Sequence, residues 1–102
     1  MQNTLIYWDM YEIQSTQEIH GVKLRGRIRK YSIQIDKTLI VENATDSPNT
    51  VRFVVKHGDD ITQITTFLKE ILEDVTVRKV LEKVQNPILS KLKVNDEQRY
   101  KL

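Results

Sequence analysis

The chain has 102 residues, 39% hydrophobic and 29% charged, with a net charge of +2, which is typical of one globular domain over 1–102 and favours no class of partner. It has no cysteine, which excludes disulfides, thiolate metal sites and a cysteine nucleophile, and its two histidines alone cannot complete a metal site, so no cofactor is expected. No apolar run approaches the ~20 residues of a membrane span, and the N-terminus lacks signal-peptide features, so we expect a cytoplasmic protein without membrane contact.

The first predicted element is a strand over residues 7–15, which are rich in aromatic and β-branched side chains. Tyr11 and Ile13 should share one face of it, because alternate side chains of a strand point the same way. His20 and Gly21 then interrupt the pattern.

Residues 22–36 fit two patterns. As a helix they place Leu24, Ile28 and Tyr31 on one face. As a strand they alternate apolar and basic side chains, and residue propensity slightly favours the strand. In either case the segment carries a dense cluster of cations without an acid, namely Lys23, Arg25, Arg27, Arg29 and Lys30.

Further along, 38–42 and 51–56 read as strands separated by a polar loop. A helix is predicted over 60–72, begun by Asp60 as its cap and carrying a clear apolar stripe that includes Phe67 and Leu68. Residues 75–84 again fit helix or strand, Pro87 ends that element, and a last short strand is predicted around 89–94.

The segment EIHGVKLR at 18–25 resembles the loop signature of the acylphosphatase family, commonly V-Q-G-V-x-F-R. In that family an asparagine follows the arginine by eighteen positions, and Asn43 stands at that separation from Arg25. Asp46 matches an aspartate in the turn that follows the asparagine. The resemblance covers roughly residues 9–100.

The resemblance implies an α+β, ferredoxin-like βαββαβ sandwich, an antiparallel sheet with two helices on one face, and therefore a helix over 24–36. It also implies hydrolysis of the carboxyl–phosphate bond of small acyl phosphates without a cofactor, with inorganic phosphate as a second ligand. Arg25 and Asn43 would be the catalytic residues, Asn43 by orienting the attacking water. The implied phosphate-binding residues are Ile19, His20, Gly21, Val22, Lys23, Leu24 and Arg25.

Several family positions differ in this chain. Lys23 replaces a small loop residue, and His20 replaces the family glutamine. The remaining departures are Gln17, Glu18, Glu42 and Ser47. A carboxylate close to a phosphate site opposes anion binding, so Glu18 and Glu42 leave open whether the activity is retained.

A second interpretation remains open beside the enzyme. In it the chain is a non-catalytic ferredoxin-like binding or regulatory module whose basic stretch 23–30 binds nucleic acid or a protein partner. If 22–29 were a strand, its cations would all point to one side and form a stripe suited to phosphate backbones.

Overall fold

The computed structural model describes residues 6–19, 23–91 and 93–94. Within these ranges, two helices and six strands follow one another. They are β1 (Trp8–Gln14), α1 (Leu24–Gln34), β2 (Leu39–Asn43), β3 (Thr50–Lys56), α2 (Thr62–Ile71), β4 (Thr76–Val84), β5 (Pro87–Ile88) and β6 (Lys93–Val94), with a 3-10 turn at Leu89–Lys91.

The first four strands form one antiparallel sheet in the order β2-β3-β1-β4. β5 and β6 pair separately as a short two-stranded sheet. The expected α+β class with an antiparallel sheet and two helices is therefore confirmed, and the arrangement is compatible with a ferredoxin-like fold.

Both helices pack on the same face of the sheet. Tyr11 and Ile13 of β1 share the main core cluster with side chains from both helices, as the alternation in β1 predicts. The stacked rings of Tyr31 and Phe67, 4.2 Å apart, join the two helices. Leu68 is fully buried as expected, whereas Phe67 is only half-buried because it lies at this seam between the helices.

The ambiguous basic segment is a helix, in agreement with the resemblance and against residue propensity. Leu24 and Ile28 are almost completely buried, one turn apart on the face that meets the sheet. Burying this stripe in the core outweighs the small intrinsic preference of isoleucine and glycine for other conformations. The second ambiguous segment, 75–84, is the edge strand β4.

The opposite face of the sheet is covered by the C-terminal segment. Leu89 packs on Met10 and Val54 in a second apolar cluster. The last element expected around 89–94 begins as a 3-10 turn, and only Lys93–Val94 is a strand. The turn forms where Leu89 docks on the sheet, and the backbone carbonyl of Ser90 accepts hydrogen bonds from Thr45.

A buried ionic network lies beside this cluster, centred on Arg52. Its guanidinium contacts the Glu12 carboxylate at 2.9 Å, Asp46 at 2.7 Å and the Leu89 carbonyl at 3.0 Å. Arg78 binds the other Glu12 oxygen at 3.2 Å from an exposed position. The network joins β1, β3, the loop after β2 and the C-terminal segment.

Within the described ranges, no helix combines the length and the apolar character needed to cross a membrane.

Candidate functional site

A cleft of about 340 Å³ opens where α1 begins beside the end of β2. Its described lining consists of Lys23, Leu24, Arg25, Gly26 and Asn43. Arg25 and Asn43, eighteen positions apart in the sequence, therefore line one cavity. Lys23 and Leu24 of the expected phosphate loop line it as well.

The start of α1 directs backbone donors toward this cleft. The first hydrogen bond of the helix joins the Arg27 amide to the Lys23 carbonyl, at 3.2 Å. The amides of Leu24, Arg25 and Gly26 therefore have no acceptor within the helix. No side chain caps this end in the described part of the chain, and the first turn contains no acid. These amides and the helix dipole favour an anion in the cleft.

Lys23 has a left-handed backbone conformation, with φ 56° and ψ 44°, immediately before the helix. This conformation turns the chain sharply from the preceding loop into α1. A non-glycine residue adopts it at some energetic cost. Lys23, where the resemblance leads one to expect a small residue, therefore lies at the bend that leads into α1, with its side chain exposed.

β2 presents Asn43 on the side of the sheet that carries the helices. Val41, two residues earlier, belongs to the core beneath the helices, and alternate strand residues share a face. Glu42 therefore points to the other face of the sheet. This alternation separates the amide of Asn43 from the neighbouring carboxylate, even though the two residues are adjacent in sequence.

Ile19 anchors the beginning of the loop. Its side chain is completely buried, and its N–H donates to Asn49 Oδ1 at 2.7 Å. Asn49 also donates from Nδ2 to the carbonyls of Ser15 and Gln17, at 3.0 and 2.8 Å. The sequence pattern places Asn49 in a polar loop and does not distinguish it from its neighbours, so this role was not predicted. The amide group of its side chain is the signal that could have indicated it.

The central loop residues His20, Gly21 and Val22 lie outside the described residues. Glu18, just before them, is exposed.

A second cleft, also of about 340 Å³, runs along the free edge of β2. Arg25 and Arg29 line it from α1, and residues 39–42 line it from the strand. Arg25 thus lies between the two clefts and borders both. Glu42 also lines the second cleft, but no contact within ion-pair distance joins it to either arginine.

Asp46, which matches the family aspartate, does not line the cleft with Asn43. It pairs with Arg52, and the hydrogen bond from that guanidinium is the main cause that lowers the pKa of Asp46 below its usual value. Its contact fixes the turn after β2 to the buried network.

A second ionic contact, away from the cleft, joins β1 to the end of β3. Burial raises the pKa of Asp9, but hydrogen bonds from His57 and from the amides of Gly58 and Lys83 outweigh it and lower the pKa overall. His57, just after β3, is exposed and bound to Asp9 at 2.8 Å. Across the described ranges, no three histidine or acidic side chains come together as a metal site.

Comparison with protein-family models, with curated proteins and with solved structures finds no significant match. The residues of the cleft and the resemblance of the segment that precedes them therefore remain the indications of function.

Proposed function

We propose that this protein has a ferredoxin-like βαββαβ fold and is an acylphosphatase-like hydrolase. It cleaves the carboxyl–phosphate bond of small acyl phosphates. The observation that carries the proposal is the meeting of Arg25 and Asn43 in one cleft at the uncapped start of α1. The spacing of these two residues and the EIHGVKLR motif support the same reaction.

The phosphoryl group binds at the start of α1. The amides of Leu24, Arg25 and Gly26, which have no acceptor within the helix, donate to its oxygens, and the helix dipole stabilises its charge. Arg25 adds a planar guanidinium that can bind two oxygens at once, which lysine cannot do. The resemblance assigns further phosphate contacts to residues 19–23, of which Ile19 is completely buried.

Asn43 orients the attacking water. An amide is a poor base, so its role is to hold the water in line with the bond that breaks. The carboxylate leaving group needs no strong acid and no covalent nucleophile, and catalysis rests on positioning and charge stabilisation. Phosphate and carboxylate are the products.

The two carboxylates that depart from the family pattern differ in position. Glu42 points away from Asn43 but lines the neighbouring cleft with Arg25, without an ion pair between them, so its negative charge opposes phosphate binding only from a distance. Glu18 is exposed near the loop. Replacing Glu42 by Gln should therefore strengthen inhibition by inorganic phosphate, more than the same change at Glu18.

The test follows hydrolysis of benzoyl phosphate by ultraviolet absorbance. Arg25→Ala should raise KM and lower kcat on the order of a hundredfold, because the guanidinium contacts substrate and transition state. Asn43→Ala should lower kcat on a similar scale while inhibition by inorganic phosphate stays near normal, since the phosphate contacts remain.

Arg27→Ala is the matched control, because Arg27 is exposed on the same helix and does not line the described cleft. It should leave turnover of benzoyl phosphate unchanged. Absence of turnover by the unaltered protein, or equal losses at Arg25 and Arg27, would contradict the proposal.

A further inference from the structure

The outer surface of α1 carries an unusual concentration of positive charge. Five exposed cations, here called the basic face of α1, lie in and just before the helix: Lys23, Arg25, Arg27, Arg29 and Lys30. The helix contains no acidic residue. The reaction proposed above employs only the first two of these cations, at the cleft.

These cations have no carboxylate partners among the described residues, unlike the arginines of the sheet. Arg52 and Arg78 both pair with Glu12, and Arg52 also pairs with Asp46. No ion pair within the described ranges involves the basic face of α1. Within the described part of the chain, its charge is therefore not neutralised by an ion pair.

The cations surround the exposed part of the helix. At ~100° per residue, Arg27 lies about 160° around the helix from Arg29, with Lys30 between them. Arg29 lies on the flank that borders the edge of β2. Because the charges occupy both flanks and the outer ridge, a flexible or curved polyanion can reach more of them than a flat surface can.

A lipid surface fits this helix poorly. A helix that binds in a membrane interface needs an exposed apolar face, and the apolar face of α1, with Leu24 and Ile28, is buried against the sheet. Ile33 alone is a large exposed apolar side chain on α1, with 71% of its surface accessible.

The surroundings of the helix also argue against recognition of bases. Tyr31, the aromatic residue of α1, is stacked on Phe67 with an interplanar angle of 4°, so its ring is already covered on one face. Arginine and lysine side chains that contact phosphates position a nucleic acid without reading its sequence.

We propose that the basic face of α1 binds the sugar–phosphate backbone of nucleic acid, independently of sequence. The α1 helix of 11 residues is ~16 Å long, over which a duplex presents one negative charge per ~1.7 Å of its axis. Bound nucleic acid would cover Arg25 and thereby inhibit acyl phosphate hydrolysis, so this function is distinct from the proposed reaction but competes with it.

The experiment measures binding of a short fluorescent DNA duplex of mixed sequence, and of single-stranded RNA, by anisotropy over a range of salt concentrations. The test variant is Arg27→Gln/Lys30→Gln, which removes two charges outside the cleft with Asn43. It should bind more weakly, and the slope of log K against log salt should fall by about 2. The control, Lys56→Gln/Lys69→Gln, removes two exposed charges elsewhere and should keep the original slope.

Two further measurements separate the outcomes. The first is turnover of benzoyl phosphate without nucleic acid, which should be the same for the test variant and the unaltered protein. This result is expected whatever the binding experiment shows. The second is binding to anionic lipid vesicles. The proposal is overturned by absence of salt-dependent binding at low salt, by equal losses in the test and control variants, or by tighter binding to anionic lipid vesicles than to either nucleic acid.

Discussion

Replacement of Arg52 by Ala tests whether the buried ionic network holds the two halves of the sheet and the C-terminal segment together. Arg52 is 2% exposed and Glu12 is 5% exposed. The change therefore removes the guanidinium from the Glu12 carboxylate, which water barely reaches. Removing one partner of a buried pair costs about 3–5 kcal/mol, and the loss here should approach that range because the buried carboxylate keeps only the exposed Arg78 as an ionic partner. Domains are stable by only about 5–15 kcal/mol in total, so the loss would be large.

Urea-induced unfolding of the variant and of the unaltered protein gives the difference in the free energy of unfolding. Arg78→Ala is the matched control, because Arg78 binds the same carboxylate at 3.2 Å but has 72% of its side chain exposed. Exposed pairs contribute about 0–1 kcal/mol, so this variant should unfold almost normally. A loss below about 1 kcal/mol for Arg52→Ala would refute the role given to the network.

A double variant distinguishes two causes of the lost stability, namely the unpaired buried charge and the contacts that the arginine side chain made. Arg52→Met with Glu12→Leu removes both ions and keeps apolar volume on the sheet. Such replacements are often neutral or stabilising, so the double variant should recover much of the loss. If it is as unstable as Arg52→Ala, the cost comes from the lost contacts to Asp46 and to the Leu89 carbonyl instead.

Two smaller predictions concern the loop before α1 and the cleft. Hydrogen bonds from Ser15 and Thr16 lower the pKa of Asp74 to about 2, so its ionised form stabilises the fold above the unfolded pKa of ~3.9. The difference in free energy of unfolding between the original protein and Asp74→Asn should therefore shrink as pH falls from ~4 toward 2, and a difference independent of pH would contradict this assignment. Gly26→Ala adds a methyl group to open space in the helix and should raise the free energy of unfolding by about 0.5 kcal/mol in urea melts, whereas a loss would show that the position is crowded.

Most of the fold follows from the sequence because its apolar patterns are strong. The stripe of α2 predicts the helix to within two residues at its start. The predicted cap is wrong by one residue, because Ile61 occupies the N-cap position, although Asp60 accepts a hydrogen bond from the Thr62 amide at 2.9 Å just before the helix. The segment 22–36 could not be assigned from local pattern, since Leu24 and Ile28 fit a helix and a strand equally. Only the core that receives them distinguishes the two, and it is assembled from distant strands.

The candidate site was less accessible to sequence reasoning, because its geometry depends on contacts between distant segments. The motif and its spacing single out Arg25 and Asn43, but no local pattern predicts that α1 begins uncapped beside the end of β2. The amide of Asn49 is likewise a weak signal, because the backbone amide that it binds is 30 residues away in the sequence.

The turn after β2 explains how the chain accommodates Ser47 where the family has a glycine. The positive φ that glycine would supply occurs two residues later, at Asn49, with φ 49°, and asparagine tolerates this conformation better than most residues. Hydroxyl contacts between Ser47 and Thr50, 3.0 Å apart, help to close the turn. Asp46 fixes one side of this turn to Arg52, while Asn49 extends from the other side to the loop that precedes α1. The departure at Ser47 therefore does not by itself argue against the proposed phosphate site, because the same turn that lacks glycine binds the backbone of Ile19 through Asn49.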